Sequence, residues 1–463
     1  MLKKITFISL IIGIVSVTSI SLAQQPIEQG GTETTAVLGP TLQFATKTGG
    51  GIQSAIALGD IDGDGKLEVV TAAFDQKVYV LNEDGSLLPG WPVKLPQAWL
   101  LRSSPAIGDI NNDGNLEIVI GTLQAEVYAL DKTGKPIPGW PVKVMGGVFS
   151  SPALADIDQD KKLEVIIGSI GEGEAIFVYA FNEDGTIVPG WPAKINATTW
   201  SCASIGDIDK NGKLEIAVTT CSGNTYLWDR KGKLLSDWPV LAGFWNISSS
   251  VFGNIDKDKK LEIIVSSNDK KVYAFKTNGK LVSGWPVQTD GAITSSPALG
   301  DIDEDGELEI IIGSDDKKVY AFNGDGSLVQ GWPVTCAGGI QASPILGDID
   351  KDGKIEIIVG CTDKNVYAFN GDGTLVTGFP LQTEGVILST PALGNIDDDD
   401  GLELIVASFD SKVYCWDFGP GTYNIPSDKG KNKKKTNTSK LLPWPMFQHD
   451  ECHTGTHPGI SSR

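Results

Sequence analysis

The feature that most constrains this chain is an acidic motif that recurs eight times at nearly constant spacing. Its clearest copy is DIDEDGELE, which begins at Asp301, and the consensus is D-x-D-x-D-G-x-L-E. A Trp-Pro or Phe-Pro pair recurs in phase with it. The copies start at Asp60, Asp109, Asp156, Asp207, Asn254, Asp301, Asp348 and Asn395, which are 47 to 51 residues apart. Such a repeat predicts an array of similar supersecondary units.

Each unit carries the signals of four short β-strands. In the sixth unit the runs SSPALGDI, LEIIIGS, KVYAFN and SLVQGWPV follow one another. Val, Ile, Tyr and Phe are typical of strands, and the Asp-Gly between the last two runs is typical of a tight hairpin. Four antiparallel strands at a period of about 40 to 50 residues form a propeller blade. We therefore predict an all-β, eight-bladed β-propeller, with seven blades or a solenoid as the alternatives.

The two ends of the repeat region predict how the ring closes. Phe44 lies 16 residues before Asp60, and Trp332 lies 16 residues before Asp348. The segment around Phe44 is therefore interpreted as a detached fourth strand that completes the last blade. The predicted organisation is a signal peptide (1–23), an N-terminal linker (24–40), the blades (41–418), a polar basic linker (419–440) and a C-terminal capping segment (441–463).

The N-terminal sequence and the net charge narrow the compartment and the partners. Lys3 and Lys4, the apolar run 5–20 and Ala23 form the pattern of a secretory signal, with a retained membrane anchor as the alternative. We expect a secreted, cell-surface or periplasmic protein without a membrane span in the mature chain. The net charge of -20 argues against nucleic acid as a partner and favours cations.

The acidic loops predict calcium sites. Carboxylates at positions one, three and five, a backbone carbonyl at seven and a Glu at nine can converge on one ion, and Gly at six permits the sharp turn. Dense oxygen donors favour Ca²⁺ over Mg²⁺. The predicted ligands are Asp60, Asp62, Asp64, Glu68; Asp109, Asn111, Asp113, Glu117; Asp156, Asp158, Asp160, Glu164; Asp207, Asp209, Asn211, Glu215; Asn254, Asp256, Asp258, Glu262; Asp301, Asp303, Asp305, Glu309; Asp348, Asp350, Asp352, Glu356; and Asn395, Asp397, Asp399, Glu403.

The eight loops are not equivalent. Lys161, Lys259 and Asp400 stand at the sixth position of the third, fifth and eighth loops, where Gly is expected. We expect these three loops to be the weakest calcium sites, and solvated acidic turns are the alternative for every loop.

The loop and its following strand resemble the FG-GAP or VCBS repeats of integrin-type and bacterial surface propellers. The rest of the unit, such as VYAFNGDGSLVQGWPV, resembles the quinoprotein (PQQ)-like propeller repeat. The resemblance implies an eight-bladed propeller whose hairpin loops hold calcium. Both families are functionally broad, so the resemblance does not specify a ligand.

Ligand binding is predicted on the face opposite the acidic loops. Trp99, Phe149, Trp200 and Trp245 come from four consecutive units, each a few residues before the innermost strand. Aromatic side chains at a channel mouth suit a sugar ring or a peptide. The alternative is that they only fill the channel. Later units carry Ile293, Ile340 and Ile387 at comparable places.

The sequence offers little for catalysis. The three histidines, His449, His453 and His457, lie in the C-terminal segment, and neither G-x-S-x-G nor H-E-x-x-H occurs. His449, Cys452 and His453 are candidates for a transition metal, with a polar cap as the alternative. Cys202 and Cys221 flank one acidic loop and are interpreted as either a disulfide or two buried thiols.

These observations predict a non-catalytic binding or adhesion module with a carbohydrate or protein ligand. One alternative is an enzyme similar to polysaccharide lyases, some of which have eight blades and similar acidic loops. The other is an envelope assembly scaffold.

Overall fold

The computed structural model describes residues 39–95, 103–171, 176–397, 399, 401–419, 446–448, 450 and 453–455. The predicted signal peptide lies outside these residues, as do nearly all of both predicted linkers. The domain boundaries proposed from the sequence therefore stay predictions.

The described residues form thirty-two β-strands. The first half of the chain contains β1 (Thr41–Lys47), β2 (Ala57–Gly59), β3 (Glu68–Ala73), β4 (Lys77–Leu81), β5 (Val93–Lys94), β6 (Ala106–Gly108), β7 (Glu117–Gly121), β8 (Glu126–Leu130), β9 (Val142–Lys143), β10 (Ala153–Ala155), β11 (Glu164–Gly168), β12 (Phe177–Phe181), β13 (Ala193–Lys194), β14 (Ser204–Gly206), β15 (Glu215–Thr219), β16 (Asn224–Asp229) and β17 (Val240–Leu241). The second half contains β18 (Val251–Gly253), β19 (Glu262–Ser267), β20 (Lys271–Phe275), β21 (Val287–Gln288), β22 (Ala298–Gly300), β23 (Glu309–Gly313), β24 (Lys318–Phe322), β25 (Val334–Thr335), β26 (Ile345–Gly347), β27 (Glu356–Gly360), β28 (Asn365–Phe369), β29 (Leu381–Gln382), β30 (Ala392–Gly394), β31 (Glu403–Ser408) and β32 (Lys412–Asp417).

These strands form eight antiparallel sheets of four strands, and each sheet is one blade. Blade one is β2 to β5, blade two is β6 to β9, and the pattern continues to blade seven, β26 to β29. The innermost strands of neighbouring blades contact each other, and β2 contacts β30, which closes the ring. The prediction of an all-β, eight-bladed propeller is confirmed, and the seven-bladed and solenoid alternatives are excluded.

The last blade takes its fourth strand from the other end of the chain. Its sheet has the order β1-β32-β31-β30, and the register pairs Phe44 with Cys415. This pairing agrees with the offset of Phe44 in the sequence. The fourth strands of the other blades are only two residues long, because the hairpin and the Trp-Pro turn occupy most of the predicted run.

Tryptophans join neighbouring blades. The indole Nε1 of Trp332 donates to the backbone carbonyl of Gly371 in the next blade at 2.8 Å, and Trp332 packs edge-on against Phe369. Five other tryptophans make the same kind of bond: Trp91, Trp140, Trp191, Trp238 and Trp285. All six are buried, and replacing a buried Trp by Ala typically costs about 3–5 kcal/mol.

The described part of the C-terminal segment lies against innermost strands. The carbonyl of Thr454 accepts from the N–H of Ile205, and that of Gly455 accepts from the N–H of Phe252, both at 2.9 Å. His453 Nδ1 lies 2.9 Å from the carbonyl oxygen of Pro152. Residues 453–455 therefore cross blades three, four and five at the centre of the ring.

Of the two alternatives for Cys202 and Cys221, the disulfide is wrong, because both cysteines are free thiols. The register pairs Ser204 with Ala217, so the position opposite Cys202 belongs to Thr219, and Cys221 lies two residues further on. Cys202 Sγ instead lies 3.4 Å from the carbonyl of Pro152. Within the described ranges, no helix is long and apolar enough to cross a membrane.

Candidate metal centres and the opposite face

The acidic loops all lie on one face, where the innermost strand of a blade turns back into the second strand. In blade six, Asp301, Asp303 and Asp305 follow β22, and Glu309 is the first residue of β23. The aspartates lie in the turn, whereas the glutamate is anchored in the sheet.

The buried glutamate holds each loop in the same shape. Glu309 is 1% exposed, and its Oε2 accepts the backbone N–H of Ile302 at 2.9 Å. All eight blades make this bond, and the other seven pairs are Ile61–Glu68, Ile110–Glu117, Ile157–Glu164, Ile208–Glu215, Ile255–Glu262, Ile349–Glu356 and Ile396–Glu403. One carboxylate oxygen thus orders the backbone in every blade, and in blades three, six, seven and eight the other oxygen is buried without a hydrogen-bond partner.

The sharp turn at the sixth position does not require glycine. Gly306 has φ +89°, and its N–H donates to Asp301 Oδ2 at 3.0 Å. Lys161 occupies the same place in the third loop with φ +77° and donates to Asp156 Oδ2, also at 3.0 Å. Lys259 in the fifth loop has φ +71°. A lysine at this position therefore does not distort the loop, although a positive φ costs more for lysine than for glycine.

The burial of these carboxyl groups has an electrostatic cost. Desolvation raises the pKa of Glu309 to about 8; the bond from Ile302 opposes this rise, and the charge of Asp303 adds to it. Burial likewise raises the pKa of Glu356 to about 8 and that of Asp348 to about 6. A bound cation would reverse this cost, because an opposite charge favours the ionised form.

Several buried oxygens in these loops have no hydrogen-bond partner among the described residues. They are Glu164 Oε1, Asn254 Oδ1, Asp301 Oδ1, Glu309 Oε1, Asp348 Oδ1, Glu356 Oε1 and Glu403 Oε1. A buried carboxylate oxygen without a partner is costly unless it is paired or coordinates a metal. The donors also converge. In loops one, three, four and six, one oxygen from each of positions one, three and nine lies within 4.8 Å of the others, and in loop five the same holds for positions three, five and nine. These clusters can hold metal ions.

The structure describes every predicted ligand position. The triads brought together include Asp60, Asp62 and Glu68; Asp156, Asp158 and Glu164; Asp207, Asp209 and Glu215; Asp256, Asp258 and Glu262; and Asp301, Asp303 and Glu309. In the eighth loop Asn395, Asp397, Asp399 and Glu403 are described, whereas Asp400 is not. The aspartates at position five are more exposed than the glutamates at position nine.

The opposite face carries the predicted aromatic residues, except Trp99, which lies outside the described ranges. Phe149 and Trp200, from blades three and four, are half-buried, and their ring centroids are 4.8 Å apart. Trp245 is 45% exposed and has φ +57°. By contrast, Ile293, Ile340 and Ile387 in later blades are fully buried.

Three further apolar side chains on this face were missed by the sequence reasoning. Leu241, Phe244 and Met145 are 66%, 65% and 55% exposed, and the rings of Phe244 and Trp245 are 6.3 Å apart. We call Met145, Phe149, Trp200, Leu241, Phe244 and Trp245 the apolar patch. The adjacent aromatics of the sequence FW were a signal for it, because the other units carry no such pair there.

The described histidine is not placed for proton transfer. His453 is fully buried, and burial lowers its pKa to about 4. The other residues of the proposed transition-metal cluster, His449 and Cys452, lie outside the described ranges, as does His457.

An eight-bladed ring with one acidic loop per blade defines the class of the protein, a β-propeller whose hairpin loops carry clustered carboxylates that could hold metal ions. A family model described as an FG-GAP-like repeat matches three segments, residues 60–120, 156–218 and 301–359. Each segment begins at the first ligand position of a loop. The chain therefore carries FG-GAP-like repeats, as the resemblance in the sequence indicates.

Solved structures with the same fold are distant in sequence. The computationally designed Ika8 protein is 16% identical with a TM-score of 0.55, and covers 80% of this chain and 98% of its own. BamB from Moraxella catarrhalis is 15% identical with a TM-score of 0.55, over 82% of this chain and 99% of BamB. Sqt1 from Saccharomyces cerevisiae is 13% identical with a TM-score of 0.63, over 82% of this chain and 99% of Sqt1. At such identities the likeness shows the fold alone. No curated protein matches the sequence significantly.

Proposed function

We propose that this chain is an exported, calcium-stabilised propeller that acts as a non-catalytic binding module. Calcium binds in the acidic loops and holds the inner hairpin of each blade. A polypeptide ligand binds the apolar patch on the opposite face. The export part of the proposal rests on the N-terminal sequence 1–23.

The calcium part is supported by the donor chemistry. Carboxylates, amide oxygens and one backbone carbonyl are the ligands that calcium prefers, and soft donors are absent from the predicted ligand positions. The unpartnered oxygens of Asp301, Glu309, Asp348 and Glu356 have the place and charge to receive such an ion. Because the ion binds only the folded loop, it stabilises the fold by mass action.

The observation that carries the binding function is the exposure of the apolar patch. Leu241 and Phe244 are each about two-thirds exposed, more than any other large apolar side chain that the structure describes. Phe244 also lies beside Trp245, and neighbouring apolar side chains at a surface mark interaction sites more often than isolated ones. Because the patch mixes aliphatic, thioether and aromatic groups, it suits a polypeptide better than a sugar. The Phe149–Trp200 pair is the feature that favours a carbohydrate.

Two measurements on the purified mature chain test the proposal. Elemental analysis after gel filtration measures bound ions, and we expect five or more calcium ions per chain. No bound calcium would overturn the calcium part.

The second measurement concerns the apolar patch. The double variant Phe244→Ala/Trp245→Ala and the control Leu328→Ala are compared with the unaltered chain in crosslinking to an envelope fraction and on a glycan array. Leu328 is 46% exposed but follows the hairpin turn of blade six. We expect a protein crosslink that the double variant loses and the control keeps.

Other outcomes distinguish the alternatives. Glycan binding that depends on the patch favours a carbohydrate ligand. Unsaturated sugar products detected by ultraviolet absorbance indicate a lyase-like enzyme. A patch-dependent crosslink to several proteins of one envelope complex supports the assembly scaffold.

A further inference from the structure

Among the ion pairs of the described residues, one distinguishes the fifth acidic loop, because a lysine contacts two of its ligand positions. The ammonium of Lys276 forms ion pairs with Asp256 and with Asp258, the latter at 3.3 Å. These two aspartates are the third and fifth ligand positions of the loop. The hydrogen bonds of Lys276 go to the same two carboxylates.

Lys276 reaches the loop because of its place in the blade. It directly follows β20 and opens the hairpin turn, where its N–H donates to the carbonyl of Lys280. The corresponding residues in the other complete hairpins are short and lack a positive charge, namely Asn82, Asp131, Asn182, Asp229, Asn323 and Asn370. Asn323 in blade six instead binds Ser327 within its own turn at 2.9 Å.

In the described ion pairs, lysines of the first and third loops contact glutamates outside the ligand sets. Lys66 pairs with Glu83 at 2.5 Å, and Lys162 pairs with Glu183, both in the hairpin of the same blade. The donors of the third and fifth loops both converge, but only in the fifth loop does a described ion pair join a lysine to two of these carboxylates. The sequence predicted both loops to be weak calcium sites, because each has a lysine at its sixth position. The contacts of Lys276 distinguish the fifth loop from the third.

The net charge at the ligand positions is consistent with an ammonium group in place of a divalent ion. The fifth loop begins with Asn254, so it has three carboxylates, whereas the sixth loop has four. Three carboxylates with one ammonium have the same net charge as four carboxylates with one divalent ion. The loss of an aspartate at position one and the gain of Lys276 therefore compensate each other.

We propose that the ammonium of Lys276 takes the place of the metal ion in the fifth loop, so that blade five is held without calcium. The ammonium neutralises Asp256 and Asp258 from within the chain, and no free-ion concentration enters this interaction. The link into blade five carries Phe244 and Trp245, and this part of the apolar patch is thereby held on a blade that does not depend on calcium. The inference rests on the proposed role of calcium in the other loops.

A reciprocal exchange in the full mature chain tests it. Lys276→Asn gives blade five the residue found in blades one, three, six and seven, and Asn323→Lys places a lysine at the same position in blade six. Elemental analysis and calorimetric calcium titration count the ions. We expect Lys276→Asn to bind one ion more than the unaltered chain, and Asn323→Lys to bind one fewer.

Hydrogen exchange on the unaltered chain gives a second readout that needs no variant. Chelation should deprotect residues 301–309 at least tenfold more than residues 254–262. Deprotection of both segments to the same extent overturns the inference, as does an unchanged ion count in a folded Lys276→Asn protein. If the unaltered chain binds no calcium at all, the proposed function fails first, so the two failures are distinguishable.

Discussion

The two faces of the ring differ in how regularly their features repeat from blade to blade. On the acidic face, all eight blades repeat the same bond from a backbone N–H to a buried glutamate, at 2.6 to 3.1 Å. On the opposite face, the apolar patch comes from blades three to five, and the positions of Phe149 and Trp200 are occupied by Thr294 and Gln341 in blades six and seven. The repeated face fits a structural role, and the irregular face fits recognition. In a repeat protein, departures from the consensus are therefore the better guide to the binding surface.

Calcium removal should have the largest effect on stability, and it should act through the acidic face alone. Each ion contributes about 2.7 kcal/mol when free calcium is 100-fold above Kd, so several sites add up to a large effect. We expect excess chelator to lower the melting temperature by more than about 10 °C, measured by calorimetry. Magnesium at the same concentration is the control and should restore little. A shift below about 2 °C would show that the loops are solvated turns.

The pH dependence of the metal-free protein should be the next largest effect. The pKa of Glu309 and of Glu356 is about 8 in the fold, above the ordinary value of 4.5. Their protonated forms therefore stabilise the fold at low pH, and this contribution is lost as the pH rises through about 8. We expect the melting temperature of calcium-free protein to fall by several degrees from pH 6 to pH 8.5.

Calcium-loaded protein is the control for this measurement. A bound ion keeps the carboxylates ionised, and calcium binding becomes stronger as the pH rises, so the melting temperature should not fall. A metal-free melting temperature that rises over the same range contradicts the prediction.

Single glutamates should show which loops contain an ion. Glu309→Gln removes a ligand from the sixth loop, and we expect the loss of one bound ion and about 2–3 kcal/mol of stability in calcium. In chelator the same change should cost less than about 1 kcal/mol, because the glutamine amide keeps an acceptor for the Ile302 N–H and resembles the protonated carboxyl that the raised pKa favours. Glu262→Gln in the fifth loop is the matched control and should leave the ion count unchanged.

The smallest effect on stability should come from the apolar patch. Phe244 is 65% exposed, and surface substitutions usually change stability by less than about 0.5 kcal/mol. Phe244→Ala should therefore leave the melting temperature unchanged with and without calcium, whereas ligand affinity should fall about 30-fold, as expected for a hot-spot residue. A large loss of thermal stability would instead place Phe244 in the core of blade five.

The repeated features of this molecule could be predicted from the sequence, because every unit reports the same local chemistry. The period, the acidic consensus and the Trp-Pro pairs predicted eight blades and the loops between their first two strands. The offset of Phe44 also predicted the pairing of β1 with β32. Because eight copies occur in phase, a strand or loop can be predicted in one unit even where the motif of that unit is incomplete.

Features that depend on long-range geometry could not be predicted. Cys202 and Cys221 flank a loop symmetrically in sequence, but the register of β14 with β15 places them out of reach. The contact of Lys276 with Asp256 crosses from the third strand to the first loop, and spacing alone does not reveal it. The exposure of Met145 and Phe244 depends on the path of the link that carries each of them and not on residue type.

The pairing of β1 with β32 has a consequence for how the ring is made. Gln43 and Cys415 meet across this pair although they are 372 residues apart in the chain. At about 5 to 20 residues per second, the ribosome needs roughly 20 to 75 s between making one strand and making its partner. During that time Thr41–Lys47 presents unpaired N–H and C=O groups, to which a strand of another chain can bind. The strand that is synthesised first, β1, is thus among the last to find its partner. A nascent chain that stops before Lys412 lacks β32 and cannot complete the last blade.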